Sequence, residues 1–375
     1  MFCCPSAAED RDAHTVFRHD LDVTADSWAS SATIPPLPES REALAAASCG
    51  PHIYICGGYG DRGVLQSVRR VSMCDREDRV WEEMPPMRMR REGAVAQVLK
   101  GRIYIIGGHN GAQHLCSVER FDPKGTAWEA VPPMANRRSG AVGGIHGGSI
   151  FVCGGADGKG ALDTVESFNP GWGSWEARAP MNYERQAAAG AMASGVMYVF
   201  GGEGKRQGEL GFVAAAGDAA ECYYAAEDTW QALPSMFEKR IGASAGYCDS
   251  RIYVVGGSSI SASDGLSCGE VFDLNSRTWT RLPNMLYPRR FPAVVVVERA
   301  LYIFGGRSSK DQARIVEVFD VDADGYDDFV DLVDPWTRGA IAPSQCQAEA
   351  KPAKIRPMLV DVEPTLKTRQ NSEQG

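Results

Sequence analysis

The sequence lacks the features that mark membrane-spanning, secreted and nucleic-acid-binding proteins. It contains no run of the roughly 18 apolar residues that a transmembrane helix needs. Its start, MFCCPSAAEDRD, has no basic stretch followed by an apolar core, so no secretory signal is predicted. The net charge of −9 at pH 7 argues against a general nucleic-acid binder, which would present a basic face.

Paired cysteine motifs are also missing. The chain has 11 cysteines, but none are spaced as CxxC, so no zinc site is predicted. Cys56 and Cys153 stand inside apolar strand patterns, where a thiol behaves as a small hydrophobic group. The scattered set indicates reduced thiols and hence a protein of the cytoplasm or nucleus. Cys3 and Cys4 could accept a palmitoyl group, but no basic cluster accompanies them, and we favour a disordered terminus over residues 1–14.

Catalytic and cofactor-binding motifs are scarce. His109 and His114 share one segment without a third metal ligand nearby, and the chain has 6 histidines in all. No nucleophile–base pair, paired-carboxylate motif or nucleotide motif is present, so no cofactor is predicted. A site assembled from several distant segments would leave no such spacing signal.

The sequence does contain one motif repeated six times. Each copy reads apolar, aromatic, β-branched or apolar, apolar, Gly, Gly. The copies are IYICGG at Ile53–Gly58, IYIIGG at Ile103–Gly108, IFVCGG at Ile150–Gly155, MYVFGG at Met197–Gly202, IYVVGG at Ile252–Gly257 and LYIFGG at Leu301–Gly306. They recur about every 47 to 55 residues, which is the period of a propeller blade. A single glycine pair after a strand could open a nucleotide-binding loop, but this repetition indicates an architectural role.

Each repeat predicts four short strands. In the second repeat, residues 91–134, REGAVAQVLKG, RIYIIGG, SVERFDP and TAWEAVPPM are strand patterns separated by turn residues. A tryptophan recurs in the fourth strand, and we expect its indole to pack against the glycine-strand backbone, within or between blades. These tryptophans are Trp81, Trp128, Trp175, Trp230 and Trp279.

The predicted fold is therefore all-β, a six-bladed propeller of four-stranded antiparallel blades spanning residues 15–336. A ring of blades has to close to avoid exposed strand edges. The segment around Trp28 matches the last strand of a blade and is the economical choice to complete the sixth, with Tyr326 as the competing candidate. Residues 337–375 are polar and without periodicity, which predicts a disordered tail.

Taken together, the glycine pair, the tyrosine before it, VE.F.P, tryptophan and PPM followed by arginine resemble the kelch repeat. SVERFDPKGTAWEAVPPM and TVESFNPGWGSWEARAPM look very like repeats of the kelch-like adaptor family. The fourth repeat departs most, with the insert EGKRQGELGFVAAAGDAAECYY, and the first has Arg69 where the others have glutamate. The resemblance implies a protein-interaction module, a substrate adaptor or scaffold, whose partner is a ubiquitin-pathway substrate or a cytoskeletal protein such as actin.

Kelch-like ubiquitin-ligase adaptors carry an N-terminal BTB domain that binds the cullin. Only about fourteen residues precede the first blade strand here, so we expect the chain to hold a partner without recruiting a cullin in that way. The resemblance also covers enzymes such as sialic-acid epimerases, and a carbohydrate-modifying enzyme is the alternative function. The histidines are too few and scattered for a copper-radical oxidase of the kelch type.

One arginine recurs four residues after each PM-type turn. The set is Arg41, Arg91, Arg138, Arg185, Arg240 and Arg289. In kelch-like adaptors, arginines at this place line the face that takes acidic peptides, and a guanidinium suits that task through bidentate bonds to carboxylates. The competing interpretation is structural, because a residue present in every blade can pair with a repeated glutamate and hold the ring together. The additional Arg88, Arg90, Arg137 and Arg290 are not demanded by the repeat and favour a basic loop surface.

The loops after the glycine pairs supply further candidates. Asn110, Asp157 and Lys159 lie in polar, glycine-rich loops beside the predicted channel, where a rigid scaffold commonly presents binding residues. Their plain interpretation is as turn residues. We predict a non-catalytic monomer that binds an acidic or mixed-charge protein segment at the arginine-bearing face, with Asn110 and Asp157 as contacts.

A calcium site is a separate hypothesis. DVDADGYDDFVD, Asp320–Asp331, places Asp320, Asp322, Asp324 and Asp331 at positions one, three, five and twelve of an EF-hand loop. Asp327 stands where an apolar residue is usual, and the preceding VEVF is strand-like rather than helical. These departures favour an acidic turn between blade strands.

Overall fold

The computed structural model describes residues 28–31, 34–74, 79–205, 217–259, 264–307 and 311–321. Candidate segments 1–14 and 337–375, and with them Cys3, Cys4 and Tyr326, lie outside these ranges. Within the described residues the only helix is a 3₁₀ turn at Gln312–Arg314. No helix there is long and apolar enough to cross a membrane.

The strands form six four-stranded antiparallel sheets, and each sheet is one blade. Blade 1 has β2 Ala45–Cys49, β3 His52–Cys56, β6 Val68–Ser72 and β7 Glu82–Met84. Between β3 and β6 lies a small hairpin, β4 Tyr59–Gly60 with β5 Gly63–Val64. Blade 2 has β8 Val95–Leu99, β9 Arg102–Ile106, β10 Val118–Phe121 and β11 Trp128–Val131. Blade 3 has β12 Val142–His146, β13 Ser149–Cys153, β14 Val165–Asn169 and β15 Ser174–Arg178.

The remaining three blades repeat the arrangement. Blade 4 has β16 Ala189–Ala193, β17 Val196–Phe200, β18 Ala220–Tyr224 and β19 Thr229–Leu233. Blade 5 has β20 Ile241–Cys248, β21 Arg251–Ser258, β22 Gly269–Asp273 and β23 Thr278–Leu282. Blade 6 has β24 Ala293–Val297, β25 Ala300–Phe304, β26 Glu317–Asp320 and β1 Ala29–Ser30. The predicted all-β, six-bladed propeller is confirmed.

The first strand of each blade faces the central axis. These inner strands, β2, β8, β12, β16, β20 and β24, each contact the inner strand of both neighbouring blades, so they close a ring. The hydrophobic core lies between blades: one cluster joins Tyr54 and Cys56 of blade 1 to Ile103, Ile105 and Phe121 of blade 2. The strand before each glycine pair is covered on both faces, which explains its uninterrupted apolar sequence.

The sixth blade draws strands from both ends of the described chain. Ala29 of β1 pairs with Val318 of β26 in antiparallel register, which makes β1 the outermost strand. Trp28 is buried and packs on Phe319, with ring centroids 4.9 Å apart. Its indole Nε1 donates to the carbonyl of Pro283 at 2.9 Å, in the turn that ends blade 5.

The tryptophans connect neighbouring blades in the same way around the ring. Each packs on an aromatic ring, as Trp128 does on Phe121 at 5.1 Å between centroids. Each also donates its indole N–H to a carbonyl in the preceding inter-blade turn. The acceptors are Pro35 for Trp81, Pro85 for Trp128, Pro132 for Trp175, Ala179 for Trp230 and Pro234 for Trp279. Sequence analysis predicted that the indole packs within or between blades, but it named the glycine-strand backbone as the contact and missed both the aromatic ring and this hydrogen bond.

Candidate functional site at the loop face

We call the loop face the end of the propeller formed by the loops between blades together with the loops that follow the glycine pairs. The recurring arginines lie beneath it, and all six are 0–1% exposed. In blade 2, Arg91 Nη1 donates to the carbonyls of Gly107 at 2.6 Å and Ser117 at 2.9 Å, and Nη2 donates to Glu119 Oε1 at 2.8 Å. Every one of these arginines donates to the carbonyl of the first glycine of its blade's glycine pair.

The repeated glutamates hold both the arginine and the loop. Five ion pairs recur: Arg91–Glu119, Arg138–Glu166, Arg185–Glu221, Arg240–Glu270 and Arg289–Glu317. The same carboxylates accept backbone N–H groups from the preceding inter-blade loop, as Glu119 does from Arg88 at 2.6 Å and Met89 at 3.1 Å. Each buried charge is thereby compensated by ions and hydrogen bonds together.

Blade 1 shows how the departure at Arg69 is accommodated. Glu39, from the same inter-blade loop, supplies the carboxylate, and its Oε1 lies 2.6 Å from Arg41 Nη2. Arg69 instead pairs with Glu83 on the neighbouring strand at 2.9 Å. The arginine position is thus kept in all six blades while the source of its counter-charge changes.

The glycine pairs allow close approach of two blades. The N–H of Gly108 donates to the carbonyl of Arg138, in the next blade, at 2.7 Å. A Cβ on Gly107 would lie 2.4 Å from that carbonyl oxygen, and Gly107 has a φ of +64°. Both steric clash and backbone conformation therefore require glycine here.

This geometry corrects the predicted partner-binding role of Arg41, Arg91, Arg138, Arg185, Arg240 and Arg289. A guanidinium that is 0–1% exposed cannot be reached by another protein, and its donors already serve the ring. The structural alternative, in which each recurring arginine pairs with a carboxylate and holds the ring together, fits these side chains instead. The arginines beside them are different: Arg88, Arg90 and Arg137 are exposed at the loop face.

Asn110 and Asp157 stabilise their own loops. Asn110 Oδ1 accepts the N–H groups of Ala112 and Gln113, each at 2.9 Å. Asp157 Oδ1 accepts those of Lys159 at 2.7 Å and Gly160 at 3.1 Å, and the bond from Lys159 is the main cause that lowers the pKa of Asp157. Both side chains are half-buried turn residues at the loop face, so their predicted contact with a partner stays a prediction.

Six backbone hydrogen bonds encircle the channel at this end. The residues involved follow each buried arginine by two positions and all have a positive φ between 51° and 69°. Each N–H donates to the carbonyl of the equivalent residue in the preceding blade, at 2.8–3.1 Å. The ring runs Gly93 to Ala43, Ala43 to Phe291, Phe291 to Gly242, Gly242 to Ala187, Ala187 to Gly140 and Gly140 to Gly93.

A cavity of about 650 Å³ opens at the channel mouth where blades 6, 1 and 2 meet. We call it the mouth cavity, and its lining includes Glu42, Tyr59, Asp61, Glu92 and Arg307. Partial burial raises the pKa of Glu42, and the nearby Glu92 adds to the rise, while Arg307 and Arg290 oppose it. Such a half-buried carboxyl in a cleft is the kind of group that functional sites contain.

Histidines border the same region. His109 Nδ1 lies 3.2 Å from Glu92 Oε1, and the His109 and His114 ring centroids are 5.0 Å apart. Burial lowers the pKa of His114, and the neighbouring His109 lowers it further. Within the described ranges no three His, Cys, Asp or Glu side chains are placed to hold a metal ion.

Of the four aspartates in the predicted calcium loop, the structure describes only Asp320. Asp320 is the last residue of β26, half-buried at the blade edge. Asp322, Asp324 and Asp331 lie outside the described residues.

Sequence analysis missed the mouth cavity. Four of its lining residues, Glu42, Glu92, Tyr59 and Arg307, occupy two repeated positions, the one after each buried arginine and the one after each glycine pair. At the first position stand Glu42, Glu92, Ser139, Gln186, Ile241 and Arg290, and at the second Tyr59, His109, Ala156, Glu203, Ser258 and Arg307. The sequence did contain a signal for it: the residue type differs from blade to blade at these two positions, which the repeat places at the same end of every blade.

Comparison with known families agrees with the repeat. The family model described as "Kelch motif" matches residues 40–88, 90–135, 137–182, 239–286 and 288–324, which together exceed half of the chain. The chain belongs to the kelch-motif family. Kelch blade 4 is not among the matched stretches, although its sheet has the same four strands as the others.

Two relatives illustrate the range of kelch proteins. An F-box/kelch-repeat protein of Arabidopsis thaliana is 40% identical over 75 residues, which cover 19% of this chain and 18% of the plant protein. Human kelch repeat and BTB domain-containing protein 13 is 34% identical over 104 residues, which cover 28% of this chain and 22% of the human protein. The chain thus matches about a fifth of the length of each.

A solved structure shares the fold. The structure of YjhT superposes with a TM-score of 0.64 at 16% sequence identity, covering 76% of this chain and 95% of that one. At this identity the likeness supports the architecture alone.

Proposed function

We propose that this kelch propeller is a non-catalytic recognition module that binds an acidic segment of a protein partner at its loop face. The observation that carries the proposal is the placement of Arg88, Arg90 and Arg137. These three exposed arginines stand on two adjacent inter-blade loops, and each loop is fixed by a buried Arg–Glu pair beneath it. A rigid scaffold that presents unpaired or weakly paired guanidiniums favours binding of carboxylates.

The relatives support a role as a recognition subunit. Their names join kelch repeats to an F-box in the plant protein and to a BTB domain in the human one. A substrate of the ubiquitin pathway and a cytoskeletal protein such as actin are the partner classes that the family resemblance suggests.

The test compares two triple variants in an affinity pull-down. One is Arg88→Ala/Arg90→Ala/Arg137→Ala at the loop face. The matched control is Lys100→Ala/Arg102→Ala/Lys124→Ala, which removes the same charge from the turns at the opposite end of blade 2, all three exposed. Melting curves first establish that both variants fold like the wild type.

We expect the wild type and the control to capture the same partners and the loop-face variant to lose them. Added salt should weaken capture by the wild type, because the contacts are between exposed charges. Equal capture by both variants would contradict the proposal.

The mouth cavity favours one alternative, a carbohydrate-modifying enzyme. It combines three carboxylates with Arg307 and has a volume within the usual range of small-molecule sites. Incubation with sialic acid and other sugar acids, followed by NMR of the anomeric and ring protons, tests this function. Accelerated interconversion that Glu42→Gln abolishes would support the enzyme over the recognition module.

A further inference from the structure

The mouth cavity carries charges of both signs in separate places. Arg307 and Arg290 belong to blade 6 and are neighbours through a backbone bridge. Glu42 follows in blade 1, and Glu92, which pairs with His109, lies in blade 2. The cavity therefore runs from a basic wall to an acidic wall around the channel mouth.

Two polar groups at or next to the mouth cavity have unmet hydrogen-bonding capacity. Among the described residues, Glu42 is half-buried and its carboxylate has no side-chain or backbone hydrogen bond. Within the same ranges, Arg290 Nε is buried without a hydrogen-bond partner, and the Arg290 guanidinium lies over the Phe291 ring, with Cζ 4.9 Å from the ring centroid. Glu42 can therefore accept a hydrogen bond from a ligand in the cavity, and the exposed Arg307, which lines the same cavity, can donate to one.

A ligand of one charge fits this cavity poorly. A lone anion drawn to Arg307 would meet Glu42, Asp61 and Glu92, and a lone cation would meet Arg307, with Arg290 close enough to act on Glu42. Like charges in proximity cost free energy that a charge pair of matching orientation avoids. Tyr59, which is 46% exposed, adds an aromatic surface that attracts a cation or an aliphatic stem.

We propose that the mouth cavity receives two oppositely charged side chains of the partner segment, a lysine or arginine against Glu42 and an aspartate or glutamate against Arg307. This inference rests on the proposed function and specifies the segment it recognises. The acidic residues that bind Arg88, Arg90 and Arg137 would lie to one side of this charge pair, over blades 2 and 3.

A randomised peptide display library selected against the full chain tests the inference. We expect peptides enriched by the wild type to contain a basic residue close to an acidic one. Peptides selected on the Glu42→Gln variant should no longer be enriched in lysine or arginine at the paired position, while the enrichment in aspartate or glutamate should persist. Selection on Arg307→Gln should reduce the acidic enrichment at the paired position, and peptides chosen by the wild type should bind either variant at least tenfold more weakly.

The matched control is Glu203→Gln, which neutralises a carboxylate at the equivalent position after the glycine pair of blade 4, where it is paired with Gln186 at 3.1 Å. It should select the same peptides as the wild type. Arg307 is exposed, so Arg307→Gln keeps the test decisive if Glu42→Gln does not fold.

The outcomes separate the two proposals. Peptides that need Arg88, Arg90 and Arg137 but are selected equally by the wild type and both cavity variants would overturn this inference and leave the recognition module standing. Selection of purely acidic peptides would overturn it in the same way. Failure to enrich any peptide at the loop face would overturn both.

Discussion

Arginines occur side by side in three inter-blade loops, and the two members of each pair differ in burial. Arg138 is 1% exposed and bonded to Glu166, whereas its neighbour Arg137 is exposed and bonded to Gln113. The repeat in the sequence identified the recurring arginine and the recurring glutamate. The sequence offered their pairing as one of two interpretations and could not decide between them, because the two residues are 28 positions apart.

Replacing Arg138 should therefore affect stability far more than replacing Arg137. Arg138→Ala leaves Glu166 buried and uncompensated, and we expect the free energy of unfolding to fall by roughly 3–5 kcal/mol. Arg137→Ala should change it by no more than about 0.5 kcal/mol, as is usual for a surface substitution. Denaturant titration measures both. Similar effects for the two variants would show that Arg138 is not a structural residue.

The cysteines should differ sharply in reactivity. Full burial raises the pKa of Cys56 and Cys153 to about 12, so their thiolate forms are negligible at neutral pH, while Cys74 is exposed. We expect a maleimide or iodoacetamide to label Cys74 in the native protein and Cys56 and Cys153 only after unfolding. Peptide mapping by mass spectrometry checks this. Rapid native labelling of Cys56 would contradict the buried strand.

Asp228 should contribute stability that depends on pH. Its carboxylate accepts the Tyr223 hydroxyl at 2.6 Å and the Ala179 N–H at 2.9 Å, and the bond from Tyr223 is the main cause that lowers its pKa. A lowered pKa means that the stabilisation is present above the unfolded-state value and is lost as the pH falls through the folded-state value. We expect Asp228→Asn, which suits the positive φ of this residue, to melt below the wild type at pH 7. The difference should shrink in acid; a constant difference down to pH 2 would argue against the linkage.

At the scale of elements, strands were predictable where a long pattern marked them. The apolar run before each glycine pair corresponds to the second strand of all six blades, and the glycine pair marks where that strand ends in every blade but the fifth. The two-residue strand β1 has no periodicity of its own, and only the spacing of Trp28 pointed to it. In blade 4 the arginine and glutamate that pair, Arg185 and Glu221, are 36 residues apart, against 28 in blade 2, yet the buried ion pair is kept. A longer connection between two strands changes the sequence pattern without disturbing the sheet.

Trp28 should be as important as a core residue although it lies near the chain start. Trp28→Ala removes a buried indole that packs on Phe319 and donates to Pro283, and we expect a loss of roughly 3–5 kcal/mol in the free energy of unfolding. The control is Trp172→Ala, since Trp172 is 72% exposed in a turn. Its effect should be near zero. Thermal and denaturant melts compare the variants, and equal effects would mean that β1 does not hold the sixth blade.

At the scale of the whole molecule, repeat number and blade composition could be predicted from the sequence, but the mouth cavity could not. Arg307 is separated from Glu42 and Glu92 by more than half of the chain and meets them only because the ring closes. No local sequence pattern predicts that residues of blades 6, 1 and 2 line one cavity. The circular arrangement also means that damage at one blade reaches the others through shared inter-blade cores.

A substitution that weakens the pairing of β1 with β26 should therefore lower the stability of distant blades as well. In Trp28→Ala we expect faster amide hydrogen exchange not only in β26 but also in β13 of blade 3, because opening one junction exposes the rest to cooperative unfolding. Hydrogen exchange with peptide-level mass spectrometry measures both strands. Loss of protection confined to blade 6 and its neighbours would show that blades open independently.

The circle of six backbone hydrogen bonds has a consequence for how such a protein can change over generations. In an open solenoid a repeat can be duplicated at little cost, because a new unit stacks on the last one. Here every N–H in the circle already donates to a carbonyl of the adjoining blade. A seventh blade would have to break one of these hydrogen bonds and form two new ones in a wider ring. Blade number is consequently an all-or-none trait, and diversity is left to the loops, where the mouth cavity and the exposed arginines lie.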